Sequence, residues 1–260
     1  MEVTTWNVFN QESPAFTTVY HKAFQTVPKL VLETTPAEND EPGHVILQLM
    51  LASLPDFDDI MTLSSRDAHW GALKLLRCAF ERTVTLKYIS QNPSEAQAFV
   101  DFDAIDWKAV LTSISKICGL QMSEQSQKNL DRRAEDARKR YRQDPCPQCG
   151  LRKQTTWTPH SVQTLAGKVK LDYMFFEAYA MPSKFIHPTF FGTRNLSQEV
   201  PPPMYSTLKN THCLVVETVL AHQRYFHGDA FPSELASEII GEFLSVWKYA
   251  DTDFGLPRPA

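Results

Sequence analysis

The chain has 260 residues, 43% of them hydrophobic and 22% charged, with a formal net charge of −4. That length and apolar content suffice for one large packed domain and exclude a generally disordered chain. The acidic balance excludes a whole-chain electrostatic nucleic-acid binder, and the nine glycines form neither a G-x-G-x-x-G turn nor a G-x-x-x-x-G-K-[ST] loop, so nucleotide binding through those motifs is excluded too.

Met1 to Pro14 shows no basic patch followed by an apolar core, so it does not read as a secretory signal. The most apolar stretch, Val45 to Leu54, is about half the length of a membrane-spanning helix and reads as a core helix. Five cysteines, at 78, 118, 146, 149 and 213, are scattered and odd in number, which suits reduced thiols. The expectation is a cytoplasmic protein with no membrane contact.

Apolar spacing is helical throughout and no stretch sustains period-two alternation, which predicts an all-α fold: a single multi-helix, bundle-like domain over 1–260 with a long central helix and two irregular loops. The first predicted helices cover 14–33, 43–54 and 64–91, the last starting at Ser64 as its capping residue. On this central helix, Ala72, Leu75, Leu76, Ala79, Phe80 and Leu86 form one apolar stripe, and Trp70, Leu73, Val84 and Tyr88 form another. Arg77 and Glu81 stand one turn apart within the second flank. They are expected to be partly buried and therefore paired, either with each other or within a polar site.

Helices follow at 94–101 and 104–118, then at 123–142. From Lys128 to Arg142 seven basic residues (Lys128, Arg132, Arg133, Arg138, Lys139, Arg140, Arg142) face three acidic ones, a local net charge of +4. This is a solvated helix face by default, and a nucleic-acid or acidic-protein surface in its functional reading. The loop at 144–159 carries Cys146-Pro147-Gln148-Cys149-Gly150, half of a zinc knuckle. A bound zinc would take Cys146 and Cys149 with His160 as third ligand; with no second C-x-x-C, a metal-free turn is the expected state.

A helix at 159–181 is predicted to stop at Met181-Pro182, leaving Ser183 and His187 at the start of a loop. The Pro-rich loop 188–203 precedes helices at 204–227 and 232–249. Within 204–227, Leu208, His212, Val215, Val219, His222 and Phe226 alternate by four and three, so both histidines are expected to face protein. Gly119 and Gly228 are predicted helix stops.

The run WTPHSVQTLAGKVKLDYMFFEAYAMPSKFIHPTFFG at Trp157 to Gly192, with R-C-A-F-E at Arg77 to Glu81, T-V-T-L-K-Y-I after it and then N-P-S-E-A, resembles the bacterial domain-of-unknown-function family 5677. The resemblance covers roughly residues 45 to 230. It implies an all-helical domain with matching polar positions at Arg77, Glu81, Tyr179, Ser183 and His187, and it supplies no activity.

Two classes of function stand beside each other at this point. In the first the chain is a binding or regulatory module, its polar residues a structural network and its basic helix the contact surface. In the second it is similar to the HEPN ribonucleases of toxin, stress and phage-defence systems, a metal-independent phosphate-directed effector. His187 would then be the acid or base, Arg77 the phosphate holder, Glu81 its orienting partner and Tyr179 a support. The sequence departs from the HEPN R-x4-6-H element: Arg66 and His69, and Arg224 and His227, are two residues apart, and Arg152 and His160 seven.

Overall fold

The computed structural model describes residues 6–7, 14–32, 34–119, 122–140, 157–186, 204–228 and 234–246. Among these, every regular element is helical. They are α1 (Pro14–Leu32), α2 (Glu41–Ser65), α3 (His69–Gln91), a 3-10 turn (Pro93–Glu95), α4 (Ala96–Cys118), α5 (Glu124–Arg140), α6 (Val162–Lys168), α7 (Asp172–Phe175), a π turn (Phe176–Ala180), α8 (Met181–Ile186), α9 (Met204–His227) and α10 (Glu234–Val246). The helices fall into two compact units: residues 1–91 with 162–260, and residues 92–161.

In the larger unit α2 begins where Asp40 accepts a hydrogen bond from the Gly43 N–H at 3.0 Å, the usual satisfaction of an orphan first-turn donor. The same carboxylate accepts from the Tyr225 hydroxyl at 2.5 Å, fastening the start of α2 to the end of α9. A Cβ at Gly43 would stand 2.2 Å from Asp40 Oδ2, so a larger residue there would displace the capping carboxylate. The expected end of this helix at 54 is corrected: α2 runs through Pro55 to Ser65. Pro55 leaves the Leu51 carbonyl without its intrahelical donor, but Leu51 is 47% exposed, so water can serve that group. Buried Met50, Phe57, Ile60 and Met61 keep one face apolar on both sides of the proline.

Ser64 therefore belongs to the last turn of α2, and the central helix starts at His69. The reversal is set by Asp67, which takes a left-handed φ of 57°, a conformation Asp tolerates better than most residues. The Ala68 N–H donates to the Leu63 carbonyl at 2.8 Å and closes the turn. Helix α3 is central, as predicted: it packs along α2 and α9 and receives α6, the π turn and α8 on its remaining side. Ala72, Leu76, Ala79, Phe80, Leu86 and Ile89 are all fully buried.

Helix α1 packs on α10, and His212 of α9 lies between them. Its ring stacks on Phe16 at 4.0 Å and meets Phe243 edge-on at 4.5 Å. His222, three turns further along α9, is also buried. Both histidines face protein as the four-three spacing predicts, and burial drives their pKa values down, His222 to about 4.

In the smaller unit the 3-10 turn leads into α4, one continuous helix where two were expected at 94–101 and 104–118. The acids Asp101, Asp103 and Asp106 look like a break in the sequence, but they lie on half-buried or exposed positions that tolerate charge. Gly119 (φ 67°) ends the helix as predicted. Helix α5 packs on α4 through buried Ala134 and Ala137 and the Lys108–Asp131 ion pair at 2.8 Å.

A group whose pKa is lower in the fold than in the unfolded chain stabilises the fold fully only above its unfolded pKa, and that contribution is lost as pH falls. For His222 the window runs from about pH 6.5 down to about 4 and holds on the order of 3 kcal/mol. His222→Gln is expected to flatten the acid-side loss of unfolding free energy over that window; an unchanged pH profile would show that His222 is not buried neutral.

Candidate functional site

Arg77 and Glu81 lie on the flank of α3 that faces the π turn. The Arg77 Nη2 donates to Glu81 Oε1 at 3.2 Å, an i,i+4 ion pair on the helix surface. The guanidinium carbon stands 5.0 Å from the centroid of the Tyr179 ring, within cation–π distance. Tyr179 is itself stacked on Phe175 at 5.2 Å, and Phe80 approaches both rings. Arg77 thus caps an aromatic cluster. Partial burial pushes its pKa down, but the Tyr179 hydroxyl and the Glu81 carboxylate outweigh that and leave it raised. The Arg77 side chain is 21% exposed and its buried Nε has no hydrogen-bond partner among the described residues.

Tyr179 reaches this place through the π turn. The Met181 N–H donates five residues back, to the Phe176 carbonyl, so the helix carries an extra residue before Pro182. The predicted stop at Met181-Pro182 is accordingly corrected: the chain stays helical through Ile186, because the widened turn accommodates a residue that has no N–H to give. Ser183 is therefore a helical residue. Its hydroxyl donates to the Tyr179 carbonyl at 2.6 Å, a local bond that commits it to the backbone. His187 lies outside the described residues. Phe185, two residues before it, packs on Trp70 at 4.5 Å, and Trp70 precedes Arg77 by seven residues, about 10 Å of helix rise.

More deeply buried polar contacts, which the sequence reading missed, tie α3 and the π turn to α9. Lys87 Nζ donates to Glu217 Oε2 at 2.5 Å, with side chains only 10% and 6% exposed. One turn earlier the Thr83 and Thr218 hydroxyls share a hydrogen bond at 2.8 Å. Asn210 donates to Glu177 of the π turn at 3.0 Å. A signal was present: at 100° per residue Lys87 falls between Leu76 and Phe80 in the first apolar stripe, and Glu217 interrupts an otherwise uncharged run from Cys213 to Ala221. A charge in such a place needs a partner.

The thiols near this seam are poor nucleophiles. Burial pushes Cys213 up to about 11, and burial and the Glu81 carboxylate raise Cys78, so both stay protonated near neutral pH. Cys146 and Cys149 lie outside the described residues. The third expected zinc ligand, His160, is half-buried, and its backbone N–H donates to the Thr158 hydroxyl at 3.3 Å. On α5, Lys128 pairs with Glu124 and Lys139 with Asp136, while Arg132 and Arg133 make no ion pair among the described residues. Arg142 lies outside them.

If Arg77 is a structural cap, Arg77→Ala costs about 1–2 kcal/mol in urea unfolding and Tyr179→Leu costs a similar amount. Tyr179→Phe, which keeps the ring face, is expected to cost less. Arg77→Ala with wild-type stability would instead mark a side chain held ready for a ligand.

The sequence profile of one family, described as a family of unknown function (DUF5677), matches residues 43–199. The match opens in the first turn of α2, spans α3 to α8 and ends before α9, so it begins near the expected boundary of the resemblance and closes short of the expected residue 230. No curated protein and no solved structure matches the chain. With a match over more than half its length, including the Arg77–Glu81 helix and the Tyr179 segment, the chain belongs to the DUF5677 family of unknown function.

Proposed function

We propose that the protein is a non-catalytic interaction module that binds another protein through the α4–α5 hairpin. The observation that carries this reading is the face of α4. The helix buries only Ala96 and Ala104 of its 23 residues. Trp107, Val110 and Ile117 are 50%, 47% and 82% exposed along one side of it. Contiguous exposed apolar side chains are the mark of a protein contact.

Four acids, Glu124, Asp131, Glu135 and Asp136, interleave with the cations of α5, which weakens it as a phosphate-tracking surface. In the other unit the polar side chains are engaged with one another: Arg77 with Glu81 and Tyr179, Ser183 with a backbone carbonyl, Lys87 with Glu217. That supports a structural role for the Arg77 cluster over acid-base chemistry.

A photo-activatable cross-linker placed at Ala109, in cells expressing the full chain, tests the reading. It is expected to yield protein adducts that disappear when Trp107→Glu and Ile117→Glu are combined. Adducts to RNA alone, or protein adducts indifferent to those two changes, would contradict it.

A further inference from the structure

We draw no further inference here: the strongest candidate, the groove of about 370 Å³ that Val110, Ser113, Ile114 and Ile117 line on the exposed face of α4, belongs to the surface already proposed as a protein contact, and nothing in the structure shows what covers it.

Discussion

The buried Lys87–Glu217 pair is the constraint around which the larger unit is organised. Two charges taken out of water are costly, and their 2.5 Å contact offsets that cost only while α3 and α9 keep one alignment. A slip of either helix would leave both charges buried and unpaired. With the pair in register, Thr83 meets Thr218 a turn away, and Asn210, two turns back along α9, meets Glu177. Glu177 fixes the π turn, and the π turn sets Tyr179 under Arg77. The residues that look most like chemistry in the sequence are thus the outer end of a chain of contacts that begins in the core.

This arrangement separates two jobs. The interior polar groups specify how helices of one unit fit together, a role for which buried ionic pairs are suited because a misfit is penalised more than a correct fit is rewarded. The α4–α5 hairpin of the other unit exposes apolar side chains that no described residue of its own hairpin covers. Neither feature requires the chain to do covalent chemistry. The protonated thiols at Cys78 and Cys213 and the backbone bond of Ser183 agree with that division.

Much of this was legible in the sequence, for physical reasons that can be named. The 3.6-residue spacing identified α1, α3, α5 and α9, and the four-three spacing put His212 and His222 inside. Arg77 and Glu81 are expected to have partners because charges within an apolar flank must find them, though the spacing leaves open whether those partners are each other or a polar site. The two prolines misled because the rule against proline in a helix is local: at Pro55 an exposed carbonyl turns to water, and at Pro182 a π turn widens beforehand. Ser64 reads as a cap in the sequence because the left-handed Asp67 carries no glycine to announce the turn. The exposure of the apolar residues of α4 was not legible, since periodicity tells which side of a helix is apolar and not what covers it. Lys87 and Glu217 are 130 positions apart, and no local pattern brings them together.

The most direct test of the account is a double-mutant cycle on that pair, using Lys87→Met and Glu217→Leu, followed by chemical denaturation of the full chain. The account predicts that each single change costs about 3–5 kcal/mol, because it strands a buried charge, and that the double variant costs less than either single one, for a coupling of more than about 3 kcal/mol. Single changes that cost little and simply add in the double variant would contradict it. They would mean that α3 and α9 are aligned by apolar packing alone and that the polar seam follows from the fold without constraining it.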